Sequence, residues 1–134
     1  RLKFIFLSKK TDDQPKSVYY EGDFLDGKKH GEGKFVDEPN NESYEGNFND
    51  DKMEGKGIFV SPKGEYEGDF KNGIKTGNAI FVSKNGDKYN GQYEDDKQCG
   101  NGEMFFTNGD YYKGEYKNDL RNGNGAYRWS DGSV

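Results

Sequence analysis

The chain has 134 residues, of which 29% are hydrophobic and 34% charged, with a net charge of −5 and a mean hydropathy of −1.26. That length holds at most one ordinary domain, and so small a hydrophobic fraction excludes a conventional packed core and points, on bulk numbers alone, toward disorder. The aromatic content of 16% argues the other way, because most of the rings recur at fixed offsets along the chain.

Residues 1 to 19 carry five Lys/Arg against two Asp, a charge of +3, which leaves −8 for residues 20 to 134. An acidic array is poorly suited to nucleic acid, where affinity rests on neutralising phosphates. The basic start reads either as a solvated tail or as a contact for an anionic surface. One cysteine excludes an intrachain disulfide framework and fits a reducing compartment. The longest purely apolar run is Phe4-Ile5-Phe6-Leu7, far short of the roughly 20 residues that span a bilayer. No stretch resembles a signal peptide. The chain lacks an initiator Met and stops where the next repeat's tyrosine is due, so it is expected to be a segment of a longer protein.

In chain order, Phe4-Ile5-Phe6-Leu7 is rich in β-formers and predicts a short strand. Ser8 through Lys16 is polar, contains Pro15 and predicts a loop. Residues 1–19 are therefore expected to form a degenerate upstream hairpin or a cap over the open sheet edge, since an exposed edge invites further pairing.

From residue 20 onward one word repeats. Tyr20-Glu21-Gly22-Asp23-Phe24 returns as Tyr44-Glu45-Gly46-Asn47-Phe48 and Tyr66-Glu67-Gly68-Asp69-Phe70. Weaker copies are Tyr89-Asn90-Gly91-Gln92-Tyr93 and Tyr112-Lys113-Gly114-Glu115-Tyr116. Successive first tyrosines lie 24, 22, 23 and 23 residues apart, a period that signals a repeat array. The repeats are bounded at 20–43, 44–65, 66–88, 89–111 and 112–134.

Each repeat reads as two strands. In the first, the period of two places Tyr, Gly and Phe or Tyr on one face and two polar residues on the other. A turn follows at Asp26-Gly27, Asn49-Asp50-Asp51, Asn72-Gly73, Asp95-Asp96 and Asn118-Asp119, residue types that tolerate positive φ. The second strand opens on Gly-x-Gly, as in Gly55-Lys56-Gly57-Ile58-Phe59-Val60, except that the third repeat has Gly77-Asn78-Ala79. Second turns at Pro39-Asn40, Pro62-Lys63-Gly64, Asn85-Gly86, Asn108-Gly109 and Asp131-Gly132 close the units. Each unit is thus one hairpin and the chain an all-β, single-layer antiparallel meander with little or no helix. One hairpin buries too little to fold alone, so the units must stack.

Within the stack, Tyr20, Gly22, Phe24, Tyr44, Gly46, Phe48, Tyr66, Gly68 and Phe70 are assigned to the core. Their counterparts Tyr89, Gly91, Tyr93, Tyr112, Gly114 and Tyr116 complete it. The glycines are expected to leave room for a ring from the adjacent strand.

The pattern Tyr-Glu-Gly-Asp-Phe, a turn, Gly-x-Gly, an aromatic-rich strand and Asp/Asn-Gly resembles the MORN repeat (membrane occupation and recognition nexus) over residues 20 to 134. The resemblance implies an elongated, twisted sheet of hairpins that acts as a scaffold, with membrane or phosphoinositide association often proposed. Relatives implied by it include radial-spoke-head proteins of axonemes, junctophilins, cytoskeletal proteins of protist parasites, and modules of lipid kinases and a histone methyltransferase. This chain departs from the family by carrying Phe24, Phe48, Phe70, Tyr93 and Tyr116 where Trp is common. The family's His-Gly survives only at His30-Gly31, with Glu54, Thr76, Cys99 and Asn122 in the equivalent places.

No catalytic, cofactor or metal site is expected. His30 and Cys99 occupy equivalent positions in different repeats, too far apart to act as a pair. The Gly-x-Gly segments lack the third glycine, helix and lysine of a phosphate loop. Asn47-x-Asn49-x-Asp51 has Lys52 and Ile58 where a calcium loop needs Gly and Glu. Asn41-Glu42-Ser43 matches a glycosylation sequon by chance.

One feature points outward. If Phe35, Phe59, Phe81, Met104 and Tyr127 join the rings, the alternate positions face away. Repeats two and three then set Ile58, Val60, Ile80 and Val82 side by side, with Phe105 on the same face. Either flanking side chains and sheet curvature cover this surface, or it is a groove for a partner. With Glu45, Glu67 and Asp69 beside it, the groove would suit a helix or strand with apolar anchors and basic flanks. The reading is a non-catalytic cytoplasmic scaffold for another protein, on the cytoskeleton or an axoneme. The alternatives are a module that touches anionic lipid through its basic start and Lys28-Lys29, and an accessory domain of an enzyme.

Overall fold

The computed structural model describes residues 2–8 and 16–134. The expected loop from Ser8 through Lys16 falls mostly on residues 9–15, outside the described residues. Eleven strands follow one another: β1 (Leu2–Ser8), β2 (Lys16–Leu25), β3 (Lys28–Asp37), β4 (Glu42–Asn49), β5 (Lys52–Ser61) and β6 (Gly64–Lys71). They continue as β7 (Ile74–Ser83), β8 (Lys88–Glu94), β9 (Lys97–Phe105), β10 (Tyr111–Lys117) and β11 (Leu120–Arg128). The spatial order is the chain order, β1 to β11, so the molecule is an antiparallel meander of consecutive hairpins that does not close. At about 4.8 Å per strand the sheet is about 48 Å across. Among the described residues the only helical segment is one 3-10 turn, Glu38–Asn40, after Asp37.

Turn chemistry sets the hairpins. Asp26 and Gly27 have φ of 51° and 79°, Asn72 and Gly73 of 51° and 81°, and the pairs Asp50-Asp51, Asp95-Asp96 and Asn118-Asp119 are left-handed at both positions too. Two successive positive φ values define the type I′ turn, whose twist matches that of the flanking strands.

The register then slips once per repeat. Gly22 pairs with Gly33, yet Phe24 pairs with Lys29, and the same shift recurs after Gly46, Gly68, Gly91 and Gly114. The surplus residues sit on the second strand around Gly31, Gly55, Gly77, Gly100 and Gly123, all at φ between 58° and 71°. The first glycine of each Gly-x-Gly thus provides a β-bulge, which bends its strand and increases the twist.

The core is a single file of rings on one face. Tyr20, Tyr44, Phe48, Tyr66, Phe70, Tyr89, Tyr93, Tyr112 and Tyr116 are buried. Each first-strand Tyr meets the ring four residues on in its own repeat, and the first four also meet the equivalent ring of the next repeat. Tyr44, for example, lies 5.1 Å from Phe48 and 5.2 Å from Phe70. All nine successive contacts, from Phe24 to Tyr112, are edge-to-face. That geometry sets the positive edge of one ring against the negative face of the next. Phe24 is only half-buried, unlike Phe48 and Phe70. It stands at the start of the file, and among the described residues its one ring partner in it is Tyr20. Phe35, Met53, Phe59, Phe81, Met104 and Tyr127 pack partly buried against the file.

The glycines do make room for a ring, but not for the expected one. The Tyr two residues earlier on the same strand folds across Gly22 and its partner Gly33, and its hydroxyl donates to the Asp23 carbonyl at 2.8 Å. A Cβ on Gly46 would sit 2.6 Å from both the Tyr44 hydroxyl and the Gly57 Cα. The Tyr66, Tyr89 and Tyr112 hydroxyls repeat the bond, donating to Asp69, Gln92 and Glu115 carbonyls. Burial pushes the Tyr44 and Tyr116 hydroxyls up to about 12.

Adjacent repeats are also tied at their turns. Asp51 donates its amide to the Lys29 carbonyl at 3.1 Å, and its carboxylate accepts the Lys29 amide at 2.7 Å. Asp96 binds Lys75 and Asp119 binds Gln98 in the same two-point way. At the junction of repeats two and three the position is Gly73, which keeps the backbone bond to Met53 but has no carboxylate, while Glu54 accepts the Asn72 amide at 3.1 Å.

Candidate functional surface

The face opposite the rings carries the polar residues of each first strand and the alternate residues of each second strand. Cross-strand register arranges them in rows. One row runs Lys34, Glu45, Ile58, Glu67, Ile80, Asn90 across β3 to β8. A second runs Val36, Ser43, Val60, Glu65, Val82, Lys88 and reaches Phe105 on β9.

The structure places the sequence-selected residues on this one face, with Glu65 and Glu67 of β6 between the pair Ile58 and Val60 and the pair Ile80 and Val82. Ile58, Val60 and Val82 are 36%, 37% and 37% exposed, and Ile80 between them is half-buried. They stand outside the ring file and remain partly exposed. A groove of about 500 Å³ lies along the first row, lined by Ile58 and Ile80, by Glu67 on the strand between them, and by Glu45 and Asn90 on the strands to either side. It continues into a polar depression of about 310 Å³ bounded by Glu21, Lys34, Glu45 and Lys56. Asp69 borders the strip and is partly committed, because Lys56 Nζ lies 3.2 Å from its carboxylate.

Phe105, 42% exposed, stands apart from the strip, separated from Val82 by Lys88. It joins a group that sequence reasoning did not assemble. The Tyr111 ring lies 5.1 Å from Phe105, the Arg128 guanidinium lies 5.1 Å over Tyr111, and the Tyr111 hydroxyl donates to Glu103. That hydrogen bond raises the Tyr111 hydroxyl above its ordinary value. The signal available was the period of two: Tyr112 belongs to the ring face, so Tyr111 must face away.

Several other charged side chains pair within the array. Lys28 lies 2.8 Å from Asp50 and Lys29 3.9 Å from Asp51, so both cations proposed for an anionic surface already have partners in the next repeat. Lys29 also lies 5.7 Å over the Tyr20 ring and 5.2 Å over Phe35. Lys75 lies likewise over Phe59 of the second repeat and Tyr66 of the third, and Arg121 over Tyr112 and Tyr127 of the fifth. His30 is half-buried beside the first bulge. Burial raises the Cys99 thiol above its ordinary value, with Glu94 adding to the effect, which disfavours the reactive thiolate.

Five stacked hairpins of one pattern call for comparison with known repeats. The MORN repeat profile matches residues 20–41, 44–65, 66–88, 89–111 and 112–134. The chain belongs to the MORN repeat family. Among curated proteins no sequence matches it. MORN repeats serve in general as modules for interaction with proteins or membranes. In this MORN array the tyrosines and glycines of the motif are spent on the ring file.

Proposed function

We propose that this MORN array is a non-catalytic scaffold that docks another protein on its second face, centred on Ile58, Val60, Ile80 and Val82. The observation that carries the reading is the exposed aliphatic strip itself. These side chains stand outside the ring file in two pairs, on β5 and β7, with Glu65 and Glu67 of β6 between them, and Ile58 and Ile80 line a groove. Contiguous exposed apolar surface rimmed by polar residues marks interaction sites. A cytoplasmic setting on the cytoskeleton or an axoneme suits a rigid, elongated array of this kind. A membrane-tethering role has less support, because Lys28 and Lys29 are paired and the strip is flanked by carboxylates.

The test is affinity capture from the parent cells with the wild-type array and with Ile58→Asp/Ile80→Asp. The double variant should keep its circular dichroism and thermal transition, because both side chains lie outside the core, and should lose the captured protein. Equal capture by both would sink the reading. Sedimentation with phosphatidylserine vesicles across a salt series covers the membrane alternative, since lipid binding through surface charge weakens with salt.

A further inference from the structure

The two rows alternate in a way that selects the shape of the partner. On β5 stand Ile58 and Val60, on β6 Glu65 and Glu67, and on β7 Ile80 and Val82. Next, β8 offers Lys88 and Asn90, and β9 brings Phe105 in the second row beside Glu103 in the first. Crossing the strands, the second row therefore reads apolar, acidic, apolar, basic, apolar. Neighbouring strands lie about 4.8 Å apart, so successive apolar steps fall about 9.6 Å apart.

An α-helix rises about 1.5 Å per residue, which puts residues i and i+7 about 10.5 Å apart on one side. Residues i+3 and i+4 fall between them, about 4.5–6 Å along the axis. An extended peptide presents one side every second residue, about 6.7 Å, and fits neither step. A helix about 10 Å wide also covers both rows at once, because Ile58 and Val60 are two residues apart on one strand.

We infer that the second face takes an amphipathic helix lying across the strands. Its sequence carries aliphatic residues at i, i+7 and i+14, Lys or Arg at i+3 and i+4, and acidic or amide residues at i+10 and i+11. The cations meet Glu65 and Glu67; the later acids meet Lys88 and Asn90. The inference rests on the proposed docking role of this face and names the occupant. Charge excludes two rivals. A second copy of this face, placed on a two-fold axis at β6, would set Glu65 and Glu67 against their own copies. An anionic membrane would meet the same carboxylates.

Synthetic helical peptides of three heptads test this against the intact array by fluorescence anisotropy. The first carries the pattern above. The second moves the anchors to every fifth residue at the same composition, and the third places proline at the centre. A fourth exchanges the cations at i+3 and i+4 for Glu. Only the first and, more weakly, the fourth should bind, and Ile58→Asp/Ile80→Asp should remove both. Glu65→Lys/Glu67→Lys should weaken the first peptide by about tenfold and strengthen the fourth, since paired charges across an interface set specificity. Thermal melts confirm that these exposed variants fold. Failure of the first peptide, or equal binding by the proline peptide, overturns the helix. The docking role then still stands or falls on the capture experiment, where the same Ile58→Asp/Ile80→Asp variant reads it without any assumed shape.

Discussion

Gly68→Val is the sharpest probe of how the array is held together. Gly68 on β6 faces Ala79 on β7, and a Cβ there would overlap the Ala79 methyl while lying 3.0 Å from both the Ala79 Cα and the Tyr66 hydroxyl. Tyr66 is fully buried, its ring is 5.0 Å from both Phe70 and Tyr93, and its hydroxyl donates to the Asp69 carbonyl at 2.8 Å. The ring cannot retreat without breaking two edge contacts and one hydrogen bond. Forcing extra carbons into a packed site costs about 1–3 kcal/mol. Losing the edge-to-face geometry costs about 0.5–1.5 kcal/mol per pair, and valine at a close-approach position takes the upper end of the range. The expected destabilisation is about 3 kcal/mol, or about 12 °C in Tm for a domain of this size. Urea denaturation followed by tyrosine fluorescence measures it. Gly27→Ala is the control, because nothing lies within 4 Å of its Cβ position and only its φ of 79° opposes the change. If Gly68→Val costs no more than Gly27→Ala, the packing of Tyr66 over the glycine does not hold the repeat.

Three further outcomes follow from the same geometry. Asp96→Ala removes the carboxylate that accepts the Lys75 amide at 2.7 Å, and should cost about 1 kcal/mol in urea melts. Gly73→Asp should be more stable than Gly73→Ala by about 1 kcal/mol, because both pay for positive φ but only Asp can bind the Met53 amide as Asp51 binds that of Lys29. Stability should fall with rising pH at the alkaline end. Burial raises the Tyr44 and Tyr116 hydroxyls to about 12. The unfolded chain therefore ionises first, from about 10, and stability present below that pH is lost as pH climbs toward the folded values. Ultraviolet titration of tyrosinate should show these hydroxyls ionising late, together with unfolding. Ionisation of all tyrosines in one step near 10, with the fold intact, would contradict their burial.

The meander was legible in the sequence because each of its signals is local. Tyr20, Gly22 and Phe24 lie two residues apart, and Asp-Gly or Asp-Asp turns need only their own φ values. The bulges were not. Gly31 and Gly33 look equivalent in Gly-x-Gly, yet the first takes φ of 68° and the second lies under the Tyr20 ring. Only the partner strand distinguishes them. The ties between repeats were hidden for a similar reason: Asp51 reads as a turn residue, and its acceptor role toward Lys29 spans 22 residues. The outward face was legible as a set, Ile58, Val60, Ile80 and Val82, from alternation alone. Its exposure was not, because burial depends on what a second layer would cover. The Phe105, Tyr111 and Arg128 group needed the register of β9 to β11.

The division between a ring face that folds and a second face that docks is tested most directly by methyl NMR of the isoleucine-labelled array with its captured partner. Ile58 and Ile80 line the groove, while Ile74 lies at the far end of its hairpin beside the turn at Asn72-Gly73. The account predicts that the Ile58 and Ile80 methyl signals shift or broaden as partner is added while Ile74 stays in place. Unmoved Ile58 and Ile80 signals in a saturated complex would contradict it.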